Sequence, residues 1–244
     1  MLLDMINEFD FEKPYEIIAA RVNNVAQGLK FRAYHSRDIE FLDYRTYSGR
    51  NVYSRSLCFL LYKAALDIFP DCKVVMRRPI SKGFFCSIDK CDGNPLSARD
   101  IDLINARMRE IVDEDIQFHR HEVQIAEAID VFRKLGHFDK VKLLETCGEV
   151  YISYYTLGGT ADYYYDVLVP SSGYLKIWDL TPYRNGALLR VPDRHHPEQL
   201  APFYEQPKTF EVFSETIKWN SIMGLDNVGD VNKACLDGKA TDLI

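Results

Sequence analysis

Residues 163–190 read YYYDVLVPSSGYLKIWDLTPYRNGALLR, the most distinctive run in the chain. Apolar residues recur through it, at Tyr174, Ile177 and Leu180, and predict strands. Val169-Pro170-Ser171-Ser172-Gly173 predicts a turn, because Pro fixes its φ and Gly permits a positive φ. The half from Gly173 to Arg190 also carries charge, at Lys176, Asp179, Arg184 and Arg190. Strand and turn signals here, set among helical patterns elsewhere, predict an α+β fold rather than an all-α one.

Working outward, helical spacing appears at Leu2, Met5, Ile6 and Phe9, and again at Leu57, Leu60, Leu61, Ala64 and Ile68. Ile17 to Val22 and Ile39 to Leu42 read as strands, with a turn at Asn23-Asn24. Ser97 with Asp100 three residues on is a capping box, and Ile101, Ile104, Met108 and Ile111 form the buried stripe behind it. Ile125, Ala128, Ile129 and Phe132 predict a helix stopped by Gly136, and Lys140 to Glu145 a shorter one. Phe210, Phe213 and Ile217 mark another, ending near Gly224. The polar residues beyond, 225–244, read as a linker.

The 244 residues suffice for one large or two modest domains. A net charge of −6 gives no global attraction to nucleic acid, so any such contact has to be a local basic patch. No apolar run reaches the ~20 residues of a membrane span. The first residues are acidic where a secretory signal is basic, which leads us to expect a cytoplasmic protein with no membrane partner. The six cysteines form no C-x-x-C pair and read as reduced, packing thiols, Cys86 and Cys91 included. His119 and His121 share a strand face without a carboxylate or thiol partner at fixed spacing, which favours a structural role. The tyrosines at 151, 154, 155 and 163–165 are packing groups first and base-stacking candidates second.

Two resemblances follow from these motifs. The leading run resembles the end of the second additional, editing domain of threonyl-tRNA synthetase, shared with alanyl-tRNA synthetases, which removes wrongly attached amino acids from tRNA. That family reads C-x-x-x-H-V-P-N followed by G-A-Y-W-R. Here Val169-Pro170-Ser171 and Gly186-Ala187-Leu188-Leu189-Arg190 keep the frame. Arg55-Ser56 through Leu60-Leu61 is similar to the family's H-S-x-x-H-L-L helix, Pro79 to Phe85 to its P-[VI]-x-x-G-F-[YF], and Asp100 to Met108 to its next helix. Residues 17–43 resemble the small TGS domain that precedes the editing domain, without its opening hairpin. The resemblance implies a partial β-grasp over 1–50 and an editing-like antiparallel sheet with helices over 51–224.

The family's zinc ligands fall on Arg55, Phe59, Tyr164 and Leu168. A zinc site needs ~3–4 nitrogen or sulfur donors. The resemblance therefore implies a degenerate site lining a cleft, with no metal and no catalytic residue. A second resemblance spans nearly the whole chain. Val169 to Lys176, Pro192 to His195, Glu205 to Lys208 and Asn227 to Asn232 are similar to the region ahead of the P-loop domain in bacterial uridine-kinase-like nucleoside kinases. It implies an accessory, regulatory region whose covalent partner is a kinase domain. ATP and Mg would belong to that domain only, because no G-x-x-x-x-G-K-[ST] occurs in this sequence.

Two other readings stay open. One is a zinc-independent aminoacyl-tRNA deacylase in which Arg55, Tyr164 and His195 stabilise charge. The other is an RNA- or nucleotide-binding module using Lys176, Arg184, Arg190 and Arg194 on phosphates, with Asp193 and His195 as further ligand contacts. The Asp193–His195 spacing could also mark an acid–base pair, although Pro197 and the charged surroundings favour a capped turn.

Overall fold

The computed structural model describes residues 1–9 and 14–239. Among them are seven α-helices and ten β-strands in three sheets, an α+β fold. Contacts divide the chain into two compact units, the first from residues 1–119, 157–160 and 166–205 and the second from 120–156, 161–165 and 206–244.

The first unit opens on helix α1 (Leu2–Glu8) and a three-stranded sheet of β1 (Ala19–Val22), β2 (Val25–Gln27) and β3 (Ile39–Leu42), in the order β2-β1-β3. Both pairings are antiparallel. Asn23 and Asn24 turn the hairpin with φ of 47° and 65°. Asn tolerates this left-handed region because its short side chain bonds locally, and two such residues make the tight turn whose twist suits a hairpin. Leu2, Ile17, Ala20, Val22, Leu29 and Phe41 close the core of this layer.

Helix α2 (Tyr47–Ile68) is the spine of the first unit. Thr46 caps it by accepting the Gly49 N–H at 3.0 Å. Leu57, Phe59, Leu60, Leu61, Ala64 and Ala65 have no exposed surface. Burial this complete marks a helix enclosed by other elements rather than one lying on a surface. Strands β4 (Lys73–Ile80) and β5 (Gly83–Asp89) follow, and α3 (Ala98–Asp113) packs against α2. The Ser97/Asp100 capping box is formed, and Ile101, Ile104, Met108 and Ile111 are the buried face of α3. Strands β9 (Asp179–Tyr183) and β10 (Gly186–Arg190) complete an antiparallel sheet of order β4-β5-β10-β9. Gly186 lets β10 approach β5, since a Cβ there would lie 2.3 Å from the Cys86 carbonyl oxygen.

Residues 174–177 depart from the expected strand. Ser172–Tyr174 is one turn of 3-10 helix and only Leu180 of the three apolar residues lies in β9. The backbone bonds here go elsewhere than to a ladder. Ser172 Oγ donates to the Ile111 carbonyl at 2.6 Å and accepts the Ile116 N–H at 2.8 Å. Gly173 N–H reaches Asp115 Oδ1 at 3.0 Å, and Ile177 N–H reaches the Tyr53 hydroxyl at 3.1 Å.

The second unit is built on β6 (Phe118–Gln124), β7 (Tyr151–Leu157) and β8 (Thr160–Tyr163), paired in that order, with α4 (Ile125–Lys134) and α5 (Phe138–Thr146). Its core is Ala128, Phe132, Val141, Leu144, Ile152, Tyr154 and Ala161. Gly136, at φ 76°, ends α4 as expected. Helices α6 (Pro207–Ile222) and α7 (Val228–Leu236) follow. Helix α7 lies within the stretch expected as a linker; residues 240–244 of that stretch are outside the described residues. Asn227 caps α7 through a capping box with Asp230, whose carboxylate also pairs with Lys142 of α5. Gly229 brings the two helices together, because a Cβ there would sit 2.8 Å from the Leu143 nitrogen. Among the described residues no helix is long and apolar enough to cross a membrane.

Candidate functional site

The segment after Tyr165 returns to α2 and forms a seam with it. Arg55 Nη1 lies 2.8 Å from Asp166 Oδ2, with side chains 19% and 32% exposed. One residue on, the buried Ser56 Oγ donates to the Val52 carbonyl at 2.8 Å and accepts the Val169 N–H at 2.9 Å. Phe59, one turn further, is fully buried with its ring 5.7 Å from that of Phe118. Leu168 is buried as well. Three of the four positions that the resemblance assigned to zinc ligands therefore sit in the first unit, on this seam. The fourth, Tyr164, belongs to the second unit and is half-buried.

These side chains do not fit a zinc ion. Zinc takes lone pairs from imidazole, thiolate or carboxylate. Arg55 offers a cation already engaged with Asp166, and Phe59 and Leu168 offer hydrocarbon. Among the described residues, no group of three or more His, Cys, Asp or Glu is placed to hold a metal.

The other candidate residues are dispersed. Lys176 Nζ lies 3.1 Å from both carboxylate oxygens of Glu16. Arg184, in the β9–β10 turn, pairs with Glu205 at 2.9 Å. Arg190 donates to the Ala201 carbonyl at 3.0 Å and lies 3.9 Å from Asp179. Arg184 and Arg190 occupy opposite ends of one hairpin, about 17–20 Å apart at ~3.4 Å per residue. They do not converge on one phosphate. The Asp193 carboxylate accepts the backbone N–H of His195 at 2.8 Å and of His196 at 3.3 Å. Those amides, His195's first, hold Asp193 below its ordinary pKa. This is the capped turn that the sequence offered beside an acid–base pair. Arg194 and His195 are exposed on it. In the second unit His121 bonds the Thr156 hydroxyl at 2.9 Å and stacks on Tyr154 at 4.8 Å, a packing role.

An opening that sequence reading missed lies in the first unit. A cavity of about 140 Å³ is lined by Tyr15, Tyr44, Tyr53 and Tyr174, by Ile18, Ile177, Pro192 and Pro197, and at its edge by Glu16, Lys176 and Glu198. Tyr44 and Tyr53 meet edge to face, with centroids 5.0 Å apart and planes at 83°. Tyr44 donates to the Pro192 carbonyl at 2.9 Å, and Tyr53 to the Ile177 carbonyl at 3.0 Å. Burial pushes both phenols well above the ordinary tyrosine pKa. No local signal announces this cavity, because its tyrosines come from four separate segments.

No family model matches the chain. It is similar to the threonine–tRNA ligase of Fusobacterium nucleatum, at 30% identity over 166 residues, 67% of this chain and 26% of that protein. The threonine–tRNA ligase of Carboxydothermus hydrogenoformans is 30% identical over 68% of this chain and 26% of its own length. That of Laribacter hongkongensis is 29% identical over 67% and 26%. The chain spans about a quarter of the length of the curated relatives it matches.

Proposed function

We propose that this chain is a non-catalytic module derived from the tRNA-editing region of threonyl-tRNA synthetase, in which the metal site has become a packing seam. The observation that carries the reading is the Arg55–Asp166 ion pair beside the buried Phe59 and Leu168, at positions where the resemblance expects zinc donors. A metal-dependent hydrolase needs an ion held by several donors with one position open for water, and of these side chains Asp166 alone is a donor, already paired with Arg55. The similarity to threonine–tRNA ligases supports the origin of the module. In this reading residues 1–50 are its TGS-like lead, and the accessory role is toward a uridine-kinase-like nucleoside kinase domain joined to it, with tRNA or a nucleotide as the signal.

The test is direct. The purified chain, incubated with zinc and dialysed, is measured for bound metal and for hydrolysis of mischarged aminoacyl-tRNA. Substoichiometric zinc and no deacylation above buffer are expected. Stoichiometric zinc with deacylation would overturn the reading. Deacylation without zinc that is lost in Arg55→Gln would instead favour a metal-independent deacylase. The kinase linkage is tested by the reading frame beyond the Ile244 codon, where a G-x-x-x-x-G-K-[ST] motif is expected.

A further inference from the structure

We infer that the tyrosine-walled cavity of the first unit binds a small organic ammonium ion. Four tyrosines line it: Tyr44 and Tyr53, whose rings meet at 83°, with Tyr15 and Tyr174. Aromatic faces attract cations through the ring quadrupole, most strongly where water is excluded. The cavity region already shows this chemistry, since the Arg45 guanidinium lies 4.7 Å over the Tyr15 ring. That arginine is neutralised by Asp43 at 2.7 Å.

The hydrogen-bonding inventory narrows the guest. The Tyr44 hydroxyl is committed to Pro192 and the Tyr53 hydroxyl to Ile177, which it engages through both the carbonyl and the N–H. A nucleobase packed against Tyr44 and Tyr53 would lose water from its polar edge without gaining a bond from either hydroxyl, a cost that buried polar groups carry. An alkylammonium has no such edge. Its methyl and methylene groups suit the rings, and its charge suits the exposed charged residues of the lining, where Glu16 and Glu198 outnumber Lys176. Glu16 is shared with Lys176, and Glu198 stands 3.4 Å from His196. The surplus carboxylate also disfavours phosphorylated guests. This inference stands apart from the proposed function, as none of the seam residues lines the cavity.

Calorimetric titration of the full chain with choline, with its uncharged isostere 3,3-dimethylbutan-1-ol, and with adenosine tests it. Choline is expected to bind roughly tenfold or more tighter than the isostere, the scale of one to two cation–π contacts. Tyr15→Leu and Glu198→Gln should each weaken choline several-fold while far-ultraviolet circular dichroism is unchanged. Glu198 is exposed, so its variant keeps the test decisive if Tyr15→Leu fails to fold. Equal binding of choline and the alcohol would reduce the cavity to an apolar hole and overturn the inference. Binding of adenosine but not choline, or of none of the three, would overturn it too.

Discussion

Two places in the first unit use large side chains in opposite ways. At the seam between α2 and residues 166–169, Phe59 and Leu168 are buried side chains that fill the space between the two segments, and Arg55 turns to Asp166. In the tyrosine cavity the rings line a space and leave it open, with two hydroxyls tied back to the walls. The difference is one of chemistry at the ring tip. A phenyl ring can be surrounded entirely, whereas a buried phenol must find a partner and is anchored by it. The seam has become core, and the cavity is a framework.

The sharpest way to break that contrast is to empty the seam. Phe59→Ala should cost about 3–5 kcal/mol, the usual range for a fully buried phenylalanine, read as a lower urea midpoint. A change under about 1 kcal/mol would show the seam to be loosely packed after all. The cavity is tested next, by alkali. Tyr44 and Tyr53 have folded pKa values raised by burial, so the folded state keeps the proton that the unfolded chain releases near pH ~10. Their stabilising contribution is therefore complete below about pH 10 and is lost as pH rises beyond it. Absorbance at 295 nm should show these two of the fifteen tyrosines ionising only with unfolding. Reversible ionisation of all fifteen at one pKa would break the framework reading. The smallest effect is at the seam's edge. Asp166→Asn should cost less than about 1 kcal/mol, because the Arg55–Asp166 pair is partly exposed and screened. A larger loss by thermal melting would make the ion pair, not Phe59, the centre of the seam.

What the sequence made legible was local chemistry and inherited frame. The Ser97/Asp100 box, the Asn23-Asn24 hairpin and the Gly136 stop each depend on residues a few positions apart, and each formed. The resemblance led us to expect a cleft lined by Arg55, Phe59, Tyr164 and Leu168; instead Phe59 and Leu168 are buried and the Ser56–Val169 bond closes a seam, a contact 113 residues apart that no local pattern announces. Residues 174–177 depart from a strand because the Tyr174 and Leu175 amides close a local turn on Ser171 and Ser172, and the Ile177 amide bonds Tyr53, a partner distant in sequence and invisible to periodicity. Helix α7 gave no apolar stripe to read, because its one buried residue is Gly229, which makes the contact with α5 and in sequence looks like a loop residue. The cavity was the least legible feature, since Tyr15, Tyr53 and Glu198 share nothing but a place in space.

The docking of α7 on α5 has a consequence for synthesis on the ribosome. Lys142 and Asp230 are 88 residues apart, and the second unit is threaded from three separated stretches. At roughly 5–20 residues per second, the α5 surface waits several seconds for its partner to be made. Over that interval the face of α5 that Gly229 and Asp230 later cover stays open to other contacts.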